Sequence, residues 1–313
     1  MSALLFPGQG SQVFGMGSEF YTNFDLVKKI FKEADSKLNF PISKMILEGP
    51  VDQLQLTKNT QPAILTVSYS IFRVLKNEFG FDFKSFKFFA GHSLGEYSAL
   101  VCSDALDFND ALYLLHERGK AMQDAVPVGM GSMIAVLGLD IEKVNDLIQN
   151  RKNKDGVCEI ANDNAEGQVI ISGDKHSIEL LQSSFKENKI KSIPLKVSAP
   201  FHCSLMKPAA EIMKDKINNT NFKNPVIQII NNVNAKVEND SNLTKQLLID
   251  QISSTVKWRQ SIINIHKSGV KNFIEIGPGK TLTGMVKRTV KNVNCFSINS
   301  ITDIKNLENE FCK

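Results

Sequence analysis

The residues best suited to chemistry are Gly91-His92-Ser93-Leu94-Gly95, a G-x-S-x-G pattern that raises a serine hydroxyl on a tight strand-to-helix bend. Glycines two residues before and two after Ser93 remove side chains that would collide inside such a bend. Upstream, the apolar run Phe86 to Ala90 predicts a buried strand. Downstream, Glu96 to Val101 predicts a helix with an acid in its first turn. A helix beginning there points backbone N–H groups and a partial positive charge at the place where an oxyanion forms. The pattern alone also arises in ordinary loops, and it is the strand before and the helix after that favour nucleophilic chemistry. A serine nucleophile needs a base. Of the five histidines, His92 lies in the bend itself, while His116, His176 and His266 fall on predicted helix faces or caps and read as structural. His202 follows a turn marked by Pro200, where a side chain can be presented to a cleft. Cys203 beside it suggests a cysteine–histidine pair, but adjacent side chains point apart, so that pair is set aside.

Other motifs leave two readings open. Leu4-Leu5-Phe6 runs as a strand into Pro7-Gly8-Gln9-Gly10, with more glycines at 15 and 17. This loop is either a plain tight turn or a means of bringing a backbone N–H and the Gln9 amide against a reacting centre. Its spacing matches neither the dinucleotide fingerprint nor the P-loop. Arg118, on an Ala/Leu/Met-rich helix predicted from Ala111 to Gln123, is either a solvated face residue or a planar fork for a carboxylate. Gly279-Lys280-Thr281 resembles the end of a Walker A loop, yet position 274 is Ile where that motif needs Gly, so nucleotide binding is rejected. The basic run at Lys287, Arg288 and Lys291 reads as a solvated helix face.

The whole chain narrows the class. Its 313 residues can bury a sizeable core, and 42% hydrophobic with 22% charged residues is the balance of an ordinary globular protein. No apolar run approaches the roughly 20 residues needed to span a bilayer. The first ten residues lack the basic segment of a signal peptide. Cys102, Cys158, Cys203, Cys295 and Cys312 are scattered without a C-x-x-C pair, which disfavours zinc and a disulfide scaffold. A cytoplasmic location is expected, or a plastid-like lumen had a targeting segment been removed. A formal charge of +4 is too mild to indicate nucleic acid, and is compatible with acidic partners.

Helices and strands alternate around the bend. Phe24, Val27, Ile30, Phe31 and Ala34 carry helical spacing within 20–56. Thr60 is read as the N-cap of the next helix, with Pro62 in its first turn and an apolar face through Ile64, Val67, Ile71 and Leu75. From Pro127 the texture changes: strands at 133–139, 158–161, 169–172 and 192–197 with helices at 141–150 and 176–188 give the β-α-β-β-α-β order of a ferredoxin-like unit. After Ser198, strands at 226–231 and 272–276 and helices at 244–252 and 258–267 resume the first pattern. The expected fold is α/β: a large, α/β-hydrolase-like domain with a parallel sheet, formed by 1–126 and 198–313, into which a small ferredoxin-like domain, 127–197, is inserted.

Taken in order, FPGQGSQ, TQPA (60–63), GHSLGEYSAL (91–100), RGKAMQ (118–123), GMGSMIAVLG, IANDNAEGQVIISG, the His202 segment and IEIGPGKTLTG resemble the acyltransferase family of fatty acid synthesis, the malonyl-CoA:acyl carrier protein transacylases. The resemblance covers nearly the whole chain. It implies that Ser93 carries a malonyl ester and that His202 serves as base and then acid. It places Gln9 and the Leu94 N–H in the oxyanion hole, and pairs Arg118 with the malonyl carboxylate. Gln61, Asn162 and His92 become acyl-site residues, and Phe201 before His202 crowds out branched acyl chains. The family orients its histidine through a backbone carbonyl near a glutamine, here Gln251, rather than through an aspartate. The implied substrates are malonyl-CoA and phosphopantetheinylated acyl carrier protein, with no cofactor, metal, nucleic acid or membrane, and a monomer is expected. An acidic carrier protein would meet a basic rim, for which Lys189, Lys191, Lys287 and Arg288 are candidates. Two rivals are weighed. A serine esterase or thioesterase needs an acid on the histidine and has no use for Arg118. A non-catalytic docking subunit has no need of Ser93 and His202.

Overall fold

The computed structural model describes residues 1–151, 154–197 and 199–311. The expected boundary at 198 and Cys312 lie outside them. The larger layer is a six-stranded sheet of β1 (Ser2–Phe6), β2 (Phe88–Gly91), β7 (Gln228–Ile230), β8 (Val237–Glu238), β9 (Asn272–Ile276) and β10 (Asn294–Ile298), in the order β10-β9-β1-β2-β7-β8. β1 pairs in parallel with both β2 and β9. All five residues of β1, SALLF, are buried, as a strand covered on both faces requires. The sheet is not wholly parallel, however: the short edge strand β8 runs antiparallel to β7. Helices Thr57–Asn77, Gly95–Cys102 and Phe108–Asp124 pack in the cluster of Leu4 and Phe6, and helices Trp258–Lys267 and Thr281–Thr289 in that of Ala3 and Leu5, so both faces of the sheet are covered.

A second, four-stranded sheet contains β3 (Gly131–Leu137), β4 (Cys158–Ala165), β5 (Gln168–Asp174) and β6 (Lys191–Pro194) in the order β4-β5-β3-β6, every neighbour antiparallel. With helices Ile141–Gln149 and Lys175–Glu187 between strands, this is the split βαβ order read from the sequence. Its own apolar cluster includes Ile134, Val136, Val144, Val169 and Phe185. A parallel bridge between Asn162 and Val256, with the Asp163 N–H donating to the Val256 carbonyl at 3.0 Å, ties β4 to the large layer. Arg259 and Asp163 form an ion pair at the same seam.

The helix after the first loop begins earlier than the sequence suggests. It runs from Thr57, so Thr60 is inside it rather than at its cap, and the Thr60 hydroxyl donates back to the Leu54 carbonyl at 2.6 Å. Pro62 is tolerated because the carbonyl its missing N–H would have taken, that of Lys58, accepts from His116 Nδ1 at 3.0 Å. That contact gives His116 the structural role expected of it. Strand β10 and the helices Lys207–Asn218 and Ile301–Phe311 were not expected. Among the described residues, no helix is long and apolar enough to cross a membrane, and Cys102, Cys158, Cys203 and Cys295 are free thiols.

Candidate active site

The parallel register aligns Phe6, the end of β1, with Gly91, the end of β2. The PGQG loop and the serine bend therefore emerge side by side at the carboxyl edge of the sheet, where open α/β sheets form their clefts. The bend is as tight as its glycines require. A Cβ on Gly91 would lie 1.9 Å from the Gly95 carbonyl carbon, and one on Gly95 would lie 2.2 Å from the Phe6 oxygen. Gly8 packs as closely, with its Cβ position 2.6 Å from the His92 oxygen. Ser93 has φ 53° and His202 φ 59°. Two residues bearing side chains thus hold the left-handed conformation at one site, a strain that persists only where surrounding structure enforces it.

Ser93 Oγ lies 2.8 Å from His202 Nε2, and His202 Nδ1 lies 2.9 Å from the Gln251 main-chain oxygen. A carbonyl only accepts, so Nδ1 carries the proton and Nε2 is left as acceptor for the serine hydroxyl. Burial, then the Arg118 charge, push His202 down to about 3, so its imidazole is neutral at physiological pH. The Cys203 thiol donates instead to the Pro200 carbonyl, away from this pair.

Arg118 is 1% exposed, which decides between its two readings: it is a buried fork and not a solvated face residue. Its helix approaches Thr57–Asn77 closely, because Gly119 faces the Thr57 carbonyl with no room for a Cβ. The guanidinium donates to Gln61 Oε1 at 2.7 Å, to Gln251 Oε1 at 2.8 Å and to Ser93 Oγ at 3.1 Å. Its Nε has no partner among the described residues. Tyr97 lies beneath, with the guanidinium carbon 5.8 Å from its ring centre. Burial lowers the Arg118 pKa, against the opposing influence of Tyr97 and Glu96. Such a fork suits an incoming carboxylate.

Of the other predicted residues, Gln9 borders the bend with its amide donating to Thr57 Oγ1 at 3.3 Å. The Leu94 N–H has no partner among the described residues, whereas the neighbouring Ser93 N–H is taken by Asn232 Oδ1 at 2.7 Å. Phe201 is buried in the main apolar cluster. His92 turns its Nε2 to Asn164 Oδ1 at 2.8 Å and packs edge-on to Trp258. Asn162 is buried on β4, with no side-chain hydrogen bond to Ser93, His202 or Arg118. Asn232, Glu96 and Asn164 join the site although the sequence reading did not single them out; isolated polar residues carry no periodicity to reveal them. A cavity of about 690 Å³ reaches His202 between β4 and the segment 253–260, bordered by Glu159, Lys257 and Arg259.

A serine on a strand–helix bend, a neutral histidine beside it and a buried cation within reach are the parts of an acyl-transferring enzyme. The family model described as the acyl transferase domain matches residues 3–310. A malonyl CoA-acyl carrier protein transacylase of Bacillus subtilis (strain 168) is 43% identical over 297 residues, covering 95% of this chain and 92% of the relative. The crystal structure of an acyl-carrier-protein-S-malonyltransferase from Bartonella henselae superposes with a TM-score of 0.95 at 39% identity, covering 100% of this chain and 99% of that one. A malonyl-transacylase solved in complex with a type II PKS acyl-carrier protein has a TM-score of 0.94 at 38% identity, covering 98% and 99%. The chain belongs to the acyl transferase family, among the malonyl CoA-acyl carrier protein transacylases.

Proposed function

We propose that this enzyme moves a malonyl group from malonyl-CoA to the phosphopantetheine thiol of acyl carrier protein through a malonyl ester on Ser93. One observation carries the reading: Ser93 Oγ lies between His202 Nε2 at 2.8 Å and the Arg118 guanidinium at 3.1 Å. His202 Nε2 takes the serine proton as Oγ attacks the thioester carbon, and returns it to the departing CoA sulfur. In the second half it takes the proton of the carrier thiol as the sulfur attacks the ester carbon, and returns it to the departing Ser93 Oγ as the malonyl thioester forms. The Leu94 N–H and Gln9 hold the oxyanion in both halves. The malonyl carboxylate engages Arg118, satisfying a buried donor that an acetyl group leaves unpaired. A main-chain carbonyl on His202 Nδ1 adds no charge to the imidazole, which disfavours attack by water on the parked ester and sets the site apart from an acid-assisted esterase.

The finer expectations are part of the same proposal. The large layer is read as a variant of the α/β-hydrolase arrangement, with 127–197 as an insertion. The cycle uses no cofactor and the chain is read as a monomer, and a cytosolic location accords with bacterial relatives such as that of B. subtilis. The exposed Lys189, Lys191, Lys287 and Arg288 are proposed to meet an acidic carrier protein.

The test is intact-protein mass spectrometry after incubation with malonyl-CoA. The wild-type chain gains the mass of one malonyl group and Ser93→Ala gains none. Labelling that persists in the variant overturns the assignment.

A further inference from the structure

Behind Ser93 lies a buried acid that the cycle above does not use. Glu96 is 2% exposed and stands one turn past the nucleophile, in the helix Gly95–Cys102. Its Oε2 accepts from Gln251 Nε2 at 2.7 Å and from the Asn232 main-chain N–H at 3.0 Å. Each partner is committed to the active site. Asn232, fully buried, brackets the strained bend: Oδ1 accepts the Ser93 N–H at 2.7 Å and Nδ2 donates to the Gly91 carbonyl at 2.8 Å. Gln251, the last residue of the helix Ser241–Gln251, also donates from Nε2 to the Ser93 carbonyl at 3.1 Å. Its Oε1 accepts from Arg118 and its main-chain oxygen accepts from His202.

A carboxamide presents nearly the same shape when turned over, so only its partners fix which end is oxygen. Turned over, Gln251 would set its NH2 against the Arg118 donors and its oxygen against Glu96. Acid on one side and guanidinium on the other exclude that state. The amide held in this sense belongs to the residue whose main chain orients the imidazole.

We infer that Glu96 is a positioning residue which, through the Gln251 side chain, sets both His202 and Arg118 against Ser93. The inference rests on the malonyl-transfer reading and adds to it. It gives the enzyme a carboxylate behind its histidine, but one acting through an amide rather than on the ring. Burial pushes Glu96 up to about 7, so its uncharged form is already accessible in the native fold. What matters is then the acceptor's place and not its charge.

Two variants separate these. Glu96→Gln keeps an acceptor oxygen at the same reach and removes the charge; Glu96→Asp keeps the charge and withdraws the oxygen by roughly 1.5 Å, one C–C bond. Single-turnover labelling of Ser93 with malonyl-CoA and acetyl-CoA is followed for both, with thermal melts to choose a temperature at which each is folded. Glu96→Asp is expected to slow malonylation by about 100-fold, the scale of a 1 Å misplacement, and to narrow the malonyl-over-acetyl preference because Arg118 is released too. Glu96→Gln is expected to stay within about tenfold of wild type with its preference kept. A merely structural acid would lower the melting temperature in both variants and leave the preference unchanged, which overturns the inference. So does a Glu96→Gln variant slower than Glu96→Asp. Where Glu96→Asp does not fold, Glu96→Gln decides alone: retention supports the inference and a loss beyond about 100-fold overturns it. Failure of the wild-type chain to label at all removes the malonyl reading and this inference together.

Discussion

Two strand-to-helix junctions flank the central strand β1, and only one of them carries the site. After β2 the chain bends through Gly91–Gly95 into the helix Gly95–Cys102; after β9 it bends through Gly277–Thr281 into the helix Thr281–Thr289. Both bends are glycine-rich, and each has a buried glutamate whose pKa burial raises to about 7, Glu96 and Glu275. They differ in what meets the helix end. At the second bend Glu275 lies on the strand itself and accepts the Leu282 N–H at 3.1 Å and the Thr283 N–H at 2.8 Å. The chain's own acid caps that helix, which gives a structural reason why the GPGKT segment need bind no phosphate. At the first bend the acid is turned away to Gln251 and Asn232, and the Leu94 N–H has no partner among the described residues. The residue under strain also differs. At the second bend φ is 134° at Gly277 and 82° at Gly279, positions without a side chain; at the first it is 53° at a serine. A helix end is a site where its donors are unspent and a reactive group is held over them.

The largest effect that sharpens this contrast comes from what faces the first bend. Arg118→Ala is expected to cut malonylation of Ser93 by about 1,000-fold, the worth of two charge-assisted hydrogen bonds, and acetylation by no more than about tenfold. Single-turnover rates with the two acyl-CoAs measure it. Equal losses on both would show that the guanidinium serves the hydroxyl and not the carboxylate.

Next in size are the two bends themselves. Gly91→Ala forces a Cβ to 1.9 Å from the Gly95 carbonyl carbon, and Gly277→Ala forces one to 2.4 Å from Ser68 Oγ at a φ of 134°. Each is expected to cost about 3 kcal/mol or more, read from denaturant unfolding. They should part company in activity. Per folded molecule, Gly277→Ala should acylate Ser93 at the wild-type rate, whereas Gly91→Ala should not. A Gly277→Ala variant that is folded yet slow would join the two bends into one functional unit.

These contrasts mark where the sequence was legible. The bend, its strand and its helix are written in consecutive residues, and so is the βαββαβ unit, because each depends on local spacing. The resemblance to a known family then supplied roles that spacing could not. Arg118 shows why: its burial depends on Gln61 and Gln251, 57 and 133 positions away, and on Gly119 admitting a neighbouring helix. Thr60 misled for a related reason. A proline usually marks a first turn, but His116 supplies the donor that lets the helix begin at Thr57. Asn232 was not singled out and Glu96 was read only as an acid in a helix's first turn, since a lone buried amide or acid announces its partners only once the chain is folded.

The smallest effect tests the cap at the second bend, and its sign can be worked out. Glu275 has its pKa raised from 4.5 to about 7, so its contribution to stability is full below pH 4.5 and is lost as pH rises toward 7. Glu96 behaves alike, while His202, lowered from 6.5 to about 3, contributes above pH 6.5 and loses that as pH falls. Between about pH 4.5 and 6.5 these trends oppose each other in the wild-type chain, so its melting temperature alone separates nothing. Glu275→Gln removes one of them. At pH 5 the variant should be the less stable by about 1 kcal/mol, because the amide NH2 cannot accept the second N–H. As pH rises to 8 the wild-type chain must ionise a buried acid and the variant need not, so the gap should narrow or reverse by on the order of 2 kcal/mol. Melting temperatures of the pair at several pH values between 5 and 8 report it. A gap that widens with pH would mean that the ionised carboxylate strengthens the cap by more than burial costs it, and the second bend would then be a place where the helix end does favour an anion.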